Sequence, residues 1–164
     1  MKTSFLRSAC RGLAVSALVL MMGQPAAWAG GFKRITGVWT ARVNITNCLP
    51  GNVPGPVTFA SFDALNVFAA DGTFLDTNST NPATQSAHFG YWNHVRGAGK
   101  YEFAQKFFLF DAAGANTGYR IVRHQVQLDK TGMSFTSAGY AETFNPDGVL
   151  LATGCSTSTA VRFD

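Results

Sequence analysis

Acidic side chains are scarce in this chain, nine in 164 residues, and they stand singly along it. Paired carboxylates for acid and base roles are therefore missing, as are G-x-S-x-G, H-E-x-x-H and P-loop patterns, so hydrolytic chemistry has no support in the sequence. Histidine is equally sparse, with three residues, two of which, His88 and His94, share one face of one strand. Six residues of extended chain separate them by about 20 Å, whereas zinc ligands converge to roughly 2 Å from the ion. His124 falls on the opposite face in the register described below. No metal and no cofactor is expected. No helical period is sustained anywhere, and no long apolar run follows the first 22 residues, which argues against a helical membrane protein.

Those first residues read as an export signal. Lys2, Arg7 and Arg11 form a basic start, Leu13 to Met22 an apolar stretch, and Ala27-Trp28-Ala29 a small-residue cleavage site, so cleavage is expected after Ala29. Residues 30–164 then form one domain, and the expected location is the periplasm or the medium. Three of the 13 basic residues leave with the signal, so ten face nine acidic ones. That balance argues against nucleic acid as a partner. Cys10 leaves as well. The remaining two, Cys48 and Cys155, are expected to form a disulfide in an oxidising compartment.

The rest of the chain reads as strands separated by turns, at about 37–46, 57–70, 73–78, 86–95, 100–111, 117–129, 133–145 and 149–163. Asp71-Gly72, Arg96-Gly97-Ala98-Gly99, Lys130-Thr131-Gly132 and Pro146-Asp147-Gly148 mark the turns, Pro50 to Pro56 reads as a breaker-rich loop, and the polar stretch from Thr77 to Ser86 as a mobile linker. Facing residues in an antiparallel pair run in opposite directions. Setting Trp39 against Arg162 therefore brings Cys48 within two positions of Cys155, so two marks at the chain's ends agree on one pairing of first and last strands. That pairing predicts an all-β fold, an eight-stranded antiparallel up-and-down barrel.

Carrying the register round the sheet predicts the interior. With Trp39 and Arg162 inside, the same face collects His88, Gly90, Trp92, His94, Tyr101, Phe103, Gln105 and Phe107, then Tyr119, Ile121, Arg123 and Gln125, then Phe135, Ser137 and Gly139. The candidate ligand-binding set is Arg123, Gln105, Gln125, Trp92, Tyr101, Phe103, Tyr119 and His94. Gly90 and Gly139 would leave room for Arg123. Arg120 is expected outside, paired with Glu142, and Phe108 and Phe110 also fall outside, where they offer a surface for another protein. Because the side-chain period is two, one bulge would turn everything beyond it to the other face.

Gly37-Val38-Trp39 at the start of the first strand, with Arg162 in the last, resembles the lipocalin and wider calycin pattern, and the chain is similar to small secreted bacterial β-barrel proteins without assigned function. The resemblance implies a barrel whose tryptophan plugs one end under a basic side chain, which makes Trp39 and Arg162 structural. Gly97 to Ala104 gives a weaker likeness to allene oxide cyclase and dirigent barrels, which would imply ring closure or isomerisation of apolar substrates. The leading expectation is an exported barrel that binds a small, largely apolar or acidic-apolar molecule in an aromatic cavity, without covalent chemistry. A cyclase or isomerase, and a structural module with a filled barrel, remain the alternatives.

Overall fold

Along the first strand burial alternates residue by residue: Trp39 and Ala41 are buried while Val38, Thr40 and Arg42 are exposed. The same period of two recurs in the later strands, as expected for a sheet with one face dry. The computed structural model describes residues 34–163; the signal segment read at 1–29 lies outside the described residues. Eight strands follow in order: β1 (Gly37–Leu49), β2 (Val53–Phe68), β3 (Thr73–Asn78), β4 (His88–His94), β5 (Lys100–Phe110), β6 (Asn116–Leu128), β7 (Ser134–Phe144) and β8 (Leu150–Arg162). Each pairs antiparallel with its neighbours, and β1 pairs with β8, so the strands close into a ring, with β2 meeting the short β3 only over residues 64–68. No helix among the described residues is long and apolar enough to cross a membrane.

The closing register is the one read from the chain's ends: Trp39 lies opposite Arg162 and Thr46 opposite Cys155. Cys48 stands two residues further on and bonds Cys155 across a Cα separation of 5.2 Å. Such a bond belongs to an oxidising compartment. The expected loop from Pro50 to Pro56 is shorter than its composition suggests. Gly51 and Asn52 both take positive φ, 79° and 59°, which turns the chain within residues 50–52 and lets β2 start at Val53. Two register irregularities, around Thr46, absorb the prolines, and the Asn47 side chain accepts a hydrogen bond from the Val57 amide at 2.9 Å. The stretch from Thr77 to Ser86 is built rather than loose: it holds a 3-10 turn at Pro82–Thr84, capped by Asn81. Gln85 donates to Asn78 Oδ1 at 2.7 Å and to Thr80 Oγ1 at 2.6 Å.

One half of the interior is filled. Phe68 stands at its centre, with Phe74, Trp92, Phe103 and Phe135 packed round it at ring separations from 4.8 to 6.1 Å. Trp39, wholly buried, meets Phe135 edge to face at 5.0 Å and donates from Nε1 to the Ile35 carbonyl at 2.8 Å. The Arg162 guanidinium lies 4.4 Å from the Trp39 ring centroid. It donates to the carbonyls of Gly132, Thr36 and Arg34, and so ties the last strand, a hairpin and the entering chain together. Gly37 is required here: its φ is 133°, and a Cβ would come within 2.7 Å of Arg162 Nη1. The glycine, tryptophan and arginine of the sequence pattern thus form one contact that stoppers this end.

Strand β6 departs from the expected facing. In the body of the sheet Phe103 pairs with His124 and Gln105 with Val122, one position away from the register that the turns suggest. The cause is a bulge next to Leu109, where Gly118 takes a φ of 137° and Thr117 is the extra residue. The β6–β7 loop then returns the offset. It has four residues rather than three, because the Asp129 carboxylate accepts from the amides of Met133 and Ser134 and so stretches the turn. The two shifts cancel, so β7 and β8 face as expected and β6 alone is inverted.

Candidate functional site

The inversion of β6 decides which polar side chains enter the barrel. Arg123, Gln125 and Tyr119, expected inside, are outside; Arg120, Val122 and His124 are inside in their place. Arg123 Nη1 pairs with Glu142 Oε2 at 2.7 Å, the partner expected for Arg120, and its side chain is 42 % exposed. Tyr119 stacks on Phe144 and takes the Lys106 ammonium on its face at 3.8 Å. Gly139 leaves room for the His124 ring rather than for Arg123, since a Cβ there would lie 2.6 Å from His124 Cδ2. Of the other candidates, Trp92 and Tyr101 pack in the filled half, Trp92 donating to the Ala69 carbonyl. His94 is exposed on its rim against Tyr101. Phe108 is exposed, whereas Phe110, beyond the bulge, is half-buried, so the two do not make one equally open patch.

Only Phe103 and Gln105 of the expected set reach the second half of the interior, which holds a cavity of about 120 Å³. Its wall combines Val43, Ile45, Phe62 and Val122 with a row of side chains on neighbouring strands. Asn66 on β2 faces Asp76 on β3, Asp76 faces His88 on β4, the His88 ring stacks on Phe107 of β5 at 3.7 Å, and Phe107 faces Arg120 on β6. Asp76 is the hub. Its Oδ1 accepts from Asn66 Nδ2 at 2.7 Å, and its Oδ2 accepts from His88 Nδ1 at 2.7 Å and from Gln105 Nε2 at 3.1 Å. Three donors on one buried carboxyl group are the partners an ionised carboxylate needs. With Asp76 accepting, His88 Nδ1 carries a hydrogen.

That arrangement leaves two buried acceptors empty-handed: His88 Nε2 and Gln105 Oε1 have no hydrogen-bond partner, although His88 is 3 % and Gln105 8 % exposed. His124 is the opposite case. Its Nδ1 meets Ser137 Oγ at 2.7 Å and its Nε2 meets Ser156 Oγ at 2.8 Å, with Ser158 extending the chain. Both nitrogens are used, so His124 braces the cavity wall and has no free position for a ligand. Among the described residues no group of three or more His, Cys, Asp or Glu side chains is placed to hold a metal ion.

Burial pulls the His124 pKa down to about 4, and a pH dependence follows. Between its unfolded value near 6.5 and about 4, the unfolded chain takes up a proton that the folded chain refuses, so stability is full above pH 6.5 and falls as the pH drops towards 4. Urea denaturation at pH 7 and pH 4.5 is expected to show His124 removing roughly 2–3 kcal/mol over that interval. His124→Gln, less stable at pH 7, is expected to lose that part of the slope. An equal slope in both proteins would show that the ring ionises freely in the fold.

A larger groove of about 490 Å³ runs on the outside of the sheet, between the β1–β2 turn and Tyr91, Arg123, Gln125 and Tyr140. It is open, and its one cation is already paired with Glu142. The smaller interior cavity holds the buried, unpaired chemistry and is the candidate site. His88 was visible in the sequence as an inward residue; Asp76 was not singled out, although a lone acid two residues after Phe74 marks a carboxylate on the apolar face. Comparison of the chain with protein-family models, curated proteins and solved structures gives no match.

Proposed function

We propose that the unfilled half of the barrel is a receptor for one small, largely apolar molecule, in a protein exported to the periplasm or beyond. The observation that carries this reading is the pair of buried, unpaired atoms, His88 Nε2 and Gln105 Oε1, on residues of a cavity whose wall joins the apolar Val43, Ile45, Phe62 and Val122 to polar side chains such as Asn66, Arg120 and Ser156. Leaving a buried polar atom unpaired costs about 1–3 kcal/mol, and a ligand hydroxyl or N–H would recover that cost. The volume limits the guest. A dry cavity of about 150 Å³ admits benzene, so about 120 Å³ limits the guest to one small ring at most and excludes the larger ligands of wide barrels. The Trp39 plug under Arg162 supports a lipocalin-like or calycin-like arrangement in which one end is stoppered and the other admits the guest.

Native mass spectrometry of protein exported by its own host tests this: a small adduct released on denaturation is expected. Gln105→Leu removes one acceptor without adding bulk and is expected to weaken retention about tenfold, the worth of one hydrogen bond; because it also removes the Nε2 donor to Asp76, it is expected to melt below the parent, so retention is compared in the folded protein. Protein that carries no adduct and whose Val43 and Val122 methyl signals ignore every small aromatic probe would end the receptor reading and leave the structural module.

A second reading, an isomerase or cyclase, draws on one observation. Asp76 holds His88 Nδ1 and leaves Nε2 buried without a hydrogen-bond partner on a cavity-lining residue, a pairing that a general base uses. Recovery of the adduct chemically unchanged after incubation separates receptor from enzyme.

A further inference from the structure

Arg120 is the one side chain of the cavity whose charge has no answering charge. It faces inward, burial lowers its pKa, and its only side-chain hydrogen bond among the described residues runs from Nε to Thr143 Oγ1 at 3.0 Å. No carboxylate among those residues lies within ion-pair distance of it. Glu142, which the sequence offers as a partner, is held by Arg123 on the outer face. Asp76 belongs to the same row but is engaged by three donors and separated from Arg120 by His88 and Phe107. The guanidinium lies 5.9 Å from the Phe107 ring, whose other neighbour is the stacked His88. The cavity therefore has two unlike poles, with Phe107 between them. At one pole stand the His88 and Gln105 side chains, whose Nε2 and Oε1 are buried and unpaired, both bonded to the Asp76 carboxyl group. At the other stands a half-buried guanidinium with terminal N–H groups to spare.

A guest must match both poles. A carboxylate at the His88 pole would meet two lone pairs and a buried negative charge; at the Arg120 pole it would meet a fork of donors shaped for it. A hydroxyl reverses the preference, since it donates what His88 and Gln105 lack. Resting on the receptor reading above, we infer that the ligand is a single-ring hydroxy acid, bound with its hydroxyl donated to His88 and Gln105 and its carboxylate held by Arg120. Orientation is then set by charge, and the ring lies among the apolar side chains between the poles.

The probes are 4-hydroxybenzoate, its methyl ester, 4-methoxybenzoate and phenol, titrated into the disulfide-bonded protein while the methyl signals of Val43, Ile45 and Val122 are followed. The hydroxy acid is expected to bind at least tenfold more tightly than either the ester, which lacks the charge, or the methoxy acid, which lacks the donor. Arg120→Gln is expected to erase the preference for acid over ester, read as the ratio of the two affinities. If the ester binds as tightly as the acid, or if Arg120→Gln keeps the preference, the acid inference falls while phenol binding preserves the receptor. If no probe moves the methyl signals, both fall.

Discussion

Trp39→Ala is expected to lower the melting temperature by roughly 10–20 °C, from a loss of about 3–5 kcal/mol on truncating a buried tryptophan. Its ring is wholly buried, packs on Phe135 and carries the Arg162 guanidinium at 4.4 Å. Removal leaves a cavity at the stoppered end and takes away the surface over which Arg162 is spread. Arg162 keeps its three carbonyl partners, so the strand pair should hold and the ring should stay closed. Binding is the control. The cavity lies in the other half of the interior, so probes of its Val122 methyls should report unchanged affinity in whatever fraction is folded. A variant that melts with the parent but loses the ligand would reassign Trp39 from plug to binding residue.

The second large effect belongs to the disulfide. Cys48 and Cys155 are separated by 107 positions, and in the chain-entropy picture a loop of that length restrains the unfolded chain by roughly 4–5 kcal/mol, with measured losses spanning about 2–5. The double variant Cys48→Ser and Cys155→Ser is expected to unfold at a markedly lower urea concentration than the oxidised parent, and reduced parent should match it. The slope with urea tests the mechanism: a more expanded unfolded state exposes more surface and steepens it. Equal midpoints with and without reductant would show that the β1–β8 ladder alone holds the ring.

How far the sequence disclosed these features depends on where the physics is local. Pairing of β1 with β8 was legible because Trp39 with Arg162 and Cys48 with Cys155 mark the same register from both ends, and the hairpin turns name themselves through Gly and Asp. The interior of β6 was not legible. One extra residue at Thr117, next to Gly118, turns over the whole of β6 from Gly118 to Leu128, and the Asp129 loop turns the later strands back. No composition signal separates a three-residue from a four-residue turn there; the Asp129 hydrogen bonds do. The arginine that enters the interior is Arg120, opposite Phe107, instead of the expected Arg123, which the inversion turns outward. Asp76 is illegible for another reason: β3 is short and carries no register mark of its own, so a lone carboxylate there shows its role only through its contacts with Asn66, His88 and Gln105.

Ring closure has a consequence for how the chain comes to be folded. β1 is the first strand made and β8 the last, yet β1 is hydrogen-bonded along both flanks, to β2 and to β8. A nascent chain can form the β1–β2 hairpin early, but the other flank of β1 stays bare until the final strand has emerged. The Trp39–Arg162 stopper and the Cys48–Cys155 bond wait on the same event. Assembly is thus gated by the emergence of β8 rather than spread along the strands, and such long-range pairing is slow. A carrier acting on the growing polypeptide would meet an unsealed sheet at every length short of the last strand.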